Sequence, residues 1–371
     1  MRKTKERLSR RVLRARLRRL REAVFKPGGA DALLVTNLKN IRYLSGFSGT
    51  TAMMLVAQDA SFFFSDFRYR TQAKSEVKGS RFVEVERDYL ESVVQFMRKR
   101  RLRSVGVEGG HMTLSTLAAM RKLARGGRLR FRTLRGAVER LRMVKDEAEV
   151  DTLRAALRIA CRALEKLLPR IRPGVRESDL AAELEYLMRR GGGEGVSFDT
   201  IVASGPRGAL PHGVASNRKI RRGEFVIVDF GTLLHGYCSD TTRTFHVGRP
   251  TAEAKKIYRT VLDAQCRAIE GVRPGMPMKK VDALARDYIR KCGYAKNFGH
   301  GLGHGVGLDI HEAPTVSTKG KERVEPGMVF TVEPGIYLPR KGGVRIEDVV
   351  AVGPKGRVEN LTRYPKELVV V

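Results

Sequence analysis

Two stretches of the sequence place carboxylates at matching points behind apolar runs. One run ends at Asp229, and Asp240 follows 11 residues later. A second run ends at Glu333, 104 residues after Asp229, and Glu347 follows 14 residues beyond it. Any one of these carboxylates could be a turn or cap residue. Their repetition predicts instead that two related hairpins bring all four together about a pseudo-twofold axis.

The chemistry expected of four converging carboxylates is metal binding. In an apolar setting they cannot all ionise unless cations neutralise them. Oxygen-rich sites suit hard or borderline divalent metals such as Mn, Co or Zn. Two carboxylates can bridge a pair of ions about 3.5–4 Å apart, which is the spacing of a two-metal hydrolytic site. The repeated set therefore predicts a centre with two divalent metal ions.

Three of the seven histidines, His300, His304 and His311, fall in one stretch with five glycines, residues 299–312. The glycines favour a loop or twisted strand over a helix, and they let the backbone approach a ligand closely. A fourth, His212, precedes the first carboxylate pair. One of these imidazoles could be a metal ligand while the rest are structural. The remaining three are interpreted as surface or structural residues: His111, His235 and His246.

The elements that must position these side chains are also repeated. Residues 172–174 and 273–275 both read Arg-Pro-Gly, 101 residues apart, and a helical pattern that ends in glycine follows each. The repeat is too long for a solenoid and occurs only twice. It predicts an α+β C-terminal domain made of two related halves.

The N-terminal part of the chain has a different pattern. Apolar residues recur at helical spacing between Leu13 and Val24, which predicts an amphipathic helix ending near Pro27-Gly28-Gly29. Strand-like runs alternate with a helical stretch, which indicates an α/β domain. The runs are 32–35, 52–56, 61–64 and 104–108, and the helical stretch is 89–97.

A long helical pattern over residues 137–168 follows this part. Its charge balance is closer to neutral than that of the preceding residues. We therefore predict an N-terminal domain at residues 1–135, a linker at 136–145 and a C-terminal domain at 146–371.

The net charge of +32 is the unusual feature of the composition. Residues 1–22 hold eleven basic and two acidic residues, and further basic clusters lie at 98–103 and 121–135. This charge favours contact with polyanions, and a basic nucleic-acid- or partner-binding protein is the alternative function. However, no zinc-finger pattern or aromatic RNA-binding signature accompanies the clusters. We expect non-specific, salt-sensitive contact and no specific nucleic-acid partner.

Cysteine content and hydropathy suggest the compartment. The four cysteines form no C-x-x-C pair and are too few for a disulfide framework in 371 residues. No run of about 18 apolar residues predicts a membrane span, and no secretory signal is expected. An Arg-rich transit peptide at the N-terminus remains an alternative. The expected location is the cytoplasm.

The sequence motifs around these carboxylates and histidines resemble those of the Xaa-Pro peptidases, aminopeptidase P and prolidase, of the pita-bread metallopeptidase clan. They follow the family's order and cover the C-terminal domain almost end to end. The segment 40–49, Asn-Ile-Arg-Tyr-Leu-Ser-Gly-Phe-Ser-Gly, resembles the creatinase/prolidase N-terminal domain. The C-terminal motifs are Leu-Pro-His-Gly, Val-Asp-Phe-Gly and Ser-Asp-Thr-Thr-Arg-Thr within 198–248, the stretch 299–312, Val-Glu-Pro-Gly-Ile-Tyr at 332–337 and Gly-Gly-Val-Arg-Ile-Glu-Asp at 342–348.

The resemblance implies a metal role for five residues. Asp229 would bind one ion, and Asp240 and Glu347 would bridge both. His304 and Glu333 would hold the second ion. Mn is the expected metal, with Co or Zn as alternatives. The complete set argues against the clan's non-catalytic relatives, and against creatinase, which does not use the dinuclear ligands.

The resemblance also implies catalytic roles. His212 and His311 match histidines that contact the substrate and the tetrahedral intermediate, and His300 matches a further histidine of the Xaa-Pro branch. Arg345 matches an arginine that organises the site. Glu333 would act as general base and proton shuttle.

The implied activity is exopeptidase hydrolysis of the Xaa-Pro bond by a metal-bridging hydroxide, with a proline-containing peptide as substrate. A strict dipeptidase (prolidase) and an aminopeptidase P that takes longer peptides both remain open. The family also implies a homodimer.

Overall fold

The computed structural model describes residues 10–26 and 29–371. The chain divides into two compact units, Met1–Arg142 and Met143–Val371. This division falls inside the segment that the sequence analysis assigns to the linker. The predicted limits of that linker stay a prediction.

The described part of the N-terminal unit alternates strands and helices, which confirms the predicted α/β class. Its strands are β1 (Ala32–Val35), β2 (Met53–Ala57), β3 (Ser61–Ser65), β4 (Arg81–Glu84), β5 (Ser104–Glu108) and β6 (Arg130–Leu134), and its helices are α1 (Arg10–Val24), α2 (Leu38–Ser45), α3 (Arg70–Glu76), α4 (Tyr89–Lys99), α5 (Leu114–Leu123) and α6 (Glu139–Met143), the last of which ends at the unit boundary.

These strands form one mixed sheet in the order β4-β3-β2-β1-β5-β6. Strands β1 to β3 pair antiparallel, whereas β4, β5 and β6 join in parallel. Helix α1 buries Leu13, Leu17 and Leu20, as the amphipathic pattern predicts. The predicted turn at Pro27-Gly28, and the basic residues among 1–9, lie outside the described residues.

The C-terminal unit contains four long helices among its described residues and a set of mainly antiparallel strands. The helices are α7 (Glu147–Leu167), α8 (Glu177–Arg190), α9 (Ala252–Gly271) and α10 (Met278–Lys291), and the strands are β7 (Gly195–Val196), β8 (Ile201–Ser204), β9 (Phe225–Phe230), β10 (Thr232–Leu234), β11 (Tyr237–Cys238), β12 (Thr241–His246), β13 (Gly303–Gly305), β14 (Glu312–Val316), β15 (Val329–Val332), β16 (Gly335–Leu338), β17 (Gly342–Arg345), β18 (Asp348–Val352) and β19 (Val358–Asn360).

The predicted internal repeat is present in this unit. Helices α8 and α10 are both 14 residues long, and β9 and β15 begin at the 104-residue offset seen in the sequence. Each half has its own apolar core: one gathers side chains of α7, α8, β9 and β12, the other those of α9, α10, β15 and β18. A backbone hydrogen bond of 3.1 Å from Glu347 N to Thr242 O joins the halves.

The long helix expected over residues 137–168 is interrupted, so that prediction is wrong in one detail. Helix α6 ends at Met143 and α7 begins at Glu147. Between them, Lys145 N donates to Gly327 O at 2.8 Å. Asp146 then caps α7 by accepting from Glu149 N. A helix start with a capping box ends the helical pattern locally, even though the apolar spacing continues through it.

Two further expectations can be compared with the structure. All four cysteines are free, as the sequence predicts. Among the described residues, no helix has both the length and the apolar character needed to cross a membrane.

Candidate active site

A single cavity of about 510 Å³ in the C-terminal unit is lined by every residue that the sequence analysis named as a candidate. It collects acidic and imidazole side chains from both halves of the repeat. The candidates that line it are His212, Asp229, Asp240, His300, His304, His311, Glu333, Arg345 and Glu347.

The repeat explains how four carboxylates reach this cavity. Asp229 lies near the end of β9, and Glu333 directly follows the equivalent strand β15. Asp240 directly precedes β12, and Glu347 directly precedes β18. The second carboxylate of each half therefore lies at the point where the next strand begins. Because the halves face each other, these four positions converge.

Three of the side chains approach closely enough to share one ion. A carboxylate oxygen of Asp240, a carboxylate oxygen of Glu347 and a nitrogen of His304 all lie within 4.8 Å of one another. His304 Nε2 is 3.5 Å from Asp240 Oδ2 and 3.3 Å from Glu333 Oε1. His304 is therefore the imidazole that the structure brings into the carboxylate cluster.

The charges of this cluster fit a bound cation. Burial, followed by repulsion from neighbouring carboxylates, raises the pKa of Asp240 and of Glu347 well above the usual range. Burial also raises the pKa of Asp229, although Arg345 opposes it. Asp229 Oδ1 is buried and has no hydrogen-bond partner among the described residues. Divalent cations would satisfy these acceptors and allow the carboxylates to ionise together.

Glu333 and His304 form a close pair in the cavity, and each shifts the pKa of the other. Burial alone would raise the pKa of Glu333, but the hydrogen bond and charge of His304 lower it to about 2. Burial alone would lower the pKa of His304, but Glu333 raises it. Thr331 Oγ1 donates to Glu333 Oε1 at 3.1 Å and holds this carboxylate in place. Glu333 is thus ionised across the neutral range.

Arg345 organises one wall of the cavity. Its Nη2 donates to Asp229 Oδ2 at 2.6 Å, and its Nη1 donates to Tyr337 OH at 2.9 Å. Its Nε donates to Thr242 Oγ1 at 3.1 Å, and Thr242 Oγ1 in turn donates to Glu347 Oε2 at 2.8 Å. One guanidinium therefore connects carboxylates from both halves of the repeat.

The other histidines border the carboxylate cluster. His212 and His311 are exposed at the cavity, and the His311 ring lies 4.3 Å from the His304 ring. Burial, then the charge of His304, lowers the pKa of His311. His300 Nε2 lies 2.9 Å from Tyr337 OH, and burial lowers the pKa of His300. Neutral imidazoles are therefore expected at positions 300 and 311 near pH 7.

Tyr337 and Thr242 are site residues that the sequence analysis missed as such. Both lie inside motifs quoted above, but their part in the site becomes visible only through their contacts with Arg345, His300 and Glu347. No spacing rule connects a tyrosine or threonine to a distant arginine. The motif match is the one signal that could have found them.

The glycines of the histidine-rich stretch serve backbone packing. A Cβ at Gly303 would collide with the carbonyl oxygen of Thr331, and one at Gly305 with that of Ala313. From the sequence alone, these glycines are expected to let the backbone approach a ligand. At these two positions they let β13 lie tightly between β14 and β15, which brings His304 to the cavity.

Comparison with known protein families agrees with this architecture. Residues 151–354 match the model of metallopeptidase family M24, and residues 16–144 match the creatinase/prolidase N-terminal domain. The first match alone spans more than half of the chain.

Individual relatives are similar over nearly their whole length. The chain is 42% identical to a solved Xaa-Pro dipeptidase from Bacillus anthracis, with a TM-score of 0.93 over 97% of this chain and 100% of the other. It is 38% identical to the Xaa-Pro dipeptidase of Pyrococcus furiosus over 91% of this chain and 95% of the relative. A solved X-Pro aminopeptidase from Thermotoga maritima is 38% identical, with a TM-score of 0.86 over 92% and 98% of the two chains. The chain therefore belongs to metallopeptidase family M24 and has a creatinase/prolidase N-terminal domain joined to the pita-bread fold.

Proposed function

We propose that the protein is an exopeptidase that uses two divalent metal ions to hydrolyse the Xaa-Pro bond at the N-terminus of peptides or in dipeptides. The observation that carries the proposal is the convergence of Asp240, His304 and Glu347 within 4.8 Å in a cavity that also contains Asp229 and Glu333. Relatives named as Xaa-Pro dipeptidases and an X-Pro aminopeptidase support the substrate class.

Five side chains would hold the ions. Asp229 would bind one ion and His304 with Glu333 the other, while Asp240 and Glu347 would serve both. Bound divalent cations supply an acidified water and a polarised substrate carbonyl. We propose Mn as the metal, with Co or Zn as alternatives, because oxygen-rich donor sets suit such borderline or hard cations.

Glu333 and the histidines outside the ligand set would act on the substrate, and Arg345 would position two of the ligands. Glu333 is ionised at neutral pH and can accept the proton of the attacking water and pass it to the leaving nitrogen. His311, beside His304 at the cavity, can donate to the oxyanion. His212 would contact the substrate beyond the scissile bond, and His300 would act together with Tyr337, whose OH lies 2.9 Å from His300 Nε2. Arg345 fixes Asp229 and, through Thr242, Glu347.

Proline release from Ala-Pro by Mn-loaded protein tests this function. We expect turnover that EDTA removes and Mn²⁺ restores, with Ala-Ala as the control substrate that is cleaved poorly. The absence of turnover on every Xaa-Pro peptide tried would reject the peptidase. Such a result would favour the alternative of a basic nucleic-acid- or partner-binding protein on this fold.

We also expect the site to select substrates by peptide length. Arg345 is the one lysine or arginine among the described residues that line the cavity, and its N–H groups already serve Asp229, Tyr337 and Thr242. A dipeptide carries its carboxylate directly on the proline, and a carboxylate desolvated without a lysine or arginine partner is unfavourable. We therefore expect kcat/KM for Ala-Pro-Ala to exceed that for Ala-Pro by about tenfold.

Ala-Pro-amide provides the matched control for that comparison, because it removes the charge and keeps the length. It should be cleaved as well as Ala-Pro-Ala. Cleavage of Ala-Pro together with resistance of both longer or neutral substrates would instead identify a strict dipeptidase.

Two further features are proposed from the family resemblance. We propose a homodimer, which sedimentation velocity of the full chain would test. We also propose a cytoplasmic location, which fractionation of the source cells would test.

A further inference from the structure

Each half of the C-terminal unit contains a buried carboxylate that pairs with an arginine and binds the backbone of a histidine-bearing loop. Glu177 does so in the first half and Asp282 in the second. Neither residue lines the cavity, and neither belongs to a motif that the sequence analysis singled out. We propose that these two pairs, Glu177–Arg207 and Asp282–Arg286, are positioning residues that set His212 and His300 in the site. The proposal rests on the proposed function for what the two histidines do.

The first pair closes the loop that carries His212. Glu177 begins α8 and is fully buried. Its Oε1 accepts from Ser204 N at 2.8 Å, and its Oε2 accepts from Ser216 N at 3.2 Å, so one carboxylate holds both ends of the loop. The hydroxyl groups of the same two serines also donate to it.

Arg207 completes this pair from within the loop. Its Nη1 donates to Glu177 Oε2 at 2.6 Å, and its Nη2 donates to Val214 O at 2.7 Å. His212 lies between Arg207 and Val214 in sequence, and Val214 N donates to His212 O at 2.9 Å. The segment that carries His212 is thus fixed on both sides by contacts that depend on one carboxylate.

The second pair holds the segment that carries His300. Asp282 lies on α10 and is 1% exposed. Its Oδ1 accepts from Leu302 N at 3.0 Å, and its Oδ2 accepts from Arg286 Nε at 2.6 Å. Arg286 donates to His300 O at 2.6 Å and to Phe298 O at 3.0 Å. The backbone is therefore held at His300 and two residues to either side of it.

Ring packing also orients the His300 imidazole in this second arrangement. The Arg286 guanidinium lies 4.3 Å from the centre of the Phe298 ring, and that ring packs edge-on at 5.1 Å against His300. Nε2 of the same imidazole is 2.9 Å from Tyr337 OH. Loss of the carboxylate would release Arg286 and the backbone together. A displacement of about 1 Å at a catalytic group can cost about a hundredfold in rate.

A double-mutant cycle tests the positioning role. We expect Glu177→Gln and Asp282→Asn each to lower kcat/KM for an Xaa-Pro peptide by about ten- to a hundredfold, while both retain the wild-type metal content. Glu177→Gln should add less than about twofold to the loss already caused by His212→Ala, because the pair acts through that histidine. Asp282→Asn should behave in the same way in the His300→Ala background. In crossed combinations, such as Glu177→Gln with His300→Ala, the two losses in kcat/KM should multiply.

Amide hydrogen exchange of the metal-free protein gives a readout that does not depend on activity. Exchange should quicken in residues 204–216 for Glu177→Gln and in residues 298–302 for Asp282→Asn, each without change in the other segment. Glu149→Gln is the matched control, since Glu149 is also a buried carboxylate and binds Tyr237 OH instead of a histidine loop. It should alter neither segment and leave kcat/KM unchanged.

Several outcomes would overturn the proposal. If the losses in kcat/KM from Glu177→Gln and His212→Ala multiplied fully in the double mutant, these pairs would have only a general structural role. Hydrogen exchange that quickens throughout the unit would lead to the same conclusion. If an amide variant does not fold, Arg207→Lys and Arg286→Lys replace it, and each should give a smaller loss confined to its own histidine. A wild-type protein without Xaa-Pro activity would reject the proposed function, yet the exchange experiment would still decide whether each pair holds its loop.

Discussion

Glu347→Ala is expected to lose metal together with activity, and Asp240→Ala should do the same. Each replacement removes a carboxylate that would serve both ions, and Asp240 and Glu347 offer oxygens to the same point near His304. Loss of an outer partner of a metal ligand already costs about 10–100-fold. Loss of a ligand itself should exceed that, with fewer than two ions left per chain by elemental analysis.

Thermal unfolding separates this metal role from a structural one. A ligand that binds only the folded state raises its stability, so Mn²⁺ should raise the Tm of the wild-type protein and not that of the variants. Glu149→Gln should respond to Mn²⁺ as the wild type does. Two ions per chain retained in Glu347→Ala would remove Glu347 from the ligand set.

His311→Ala is expected to keep both metal ions and lose most of kcat. The imidazole lies beside His304 at the cavity and is the candidate donor to the oxyanion. Removal of one such donor costs about 10²–10³ in kcat. KM should change much less, since the interaction strengthens only in the transition state.

His235→Asn is the control for this variant. His235 does not line the cavity, and its backbone φ of 51° lies in the left-handed region, which asparagine tolerates. The control should retain wild-type kcat and metal content. An unchanged rate in His311→Ala would remove that histidine from the reaction, whereas loss of metal would make it a ligand.

The sequence predicts the arrangement of strands and carboxylates in the C-terminal unit because the same pattern occurs twice in the chain. The 104-residue offset between Asp229 and Glu333 reappears as the offset between β9 and β15. Local patterns also predict α1 from its apolar spacing, and the strands β1 and β3, which are buried and mostly apolar. Where local pattern and tertiary burial agree, the sequence is a sufficient guide.

Two of the elements that were missed, β4 and β6, have weak local signals. Strands β4 and β6 are the sheet edges, and their sequences Arg-Phe-Val-Glu and Arg-Phe-Arg-Thr-Leu are largely exposed. Charged side chains on an edge strand protect it from pairing with other chains, and they also mask the apolar alternation. The break before α7 was missed because Val144 continues the apolar spacing while the backbone of Lys145 pairs with Gly327.

The site features that the sequence does not predict depend on contacts between residues far apart in the chain. The hydrogen bond from Arg345 to Asp229 spans 116 residues, and that from Leu302 to Asp282 spans 20. Side-chain types at such separations carry no periodic signal. The sequence therefore predicts the carboxylates and histidines of the site. The structure is needed to find Glu177 and Asp282, which are proposed to position two of those histidines.

Titration of Mn²⁺ into chelator-stripped protein, followed by calorimetry and by proline release from an Xaa-Pro peptide, tests the central claim most directly. The claim is that two duplicated hairpins and one imidazole hold a pair of catalytic ions. We expect two equivalents of Mn²⁺ per chain, with activity that rises as they bind and neither effect in Glu347→Ala. Binding of fewer than two ions, or hydrolysis that is complete without metal, would contradict it.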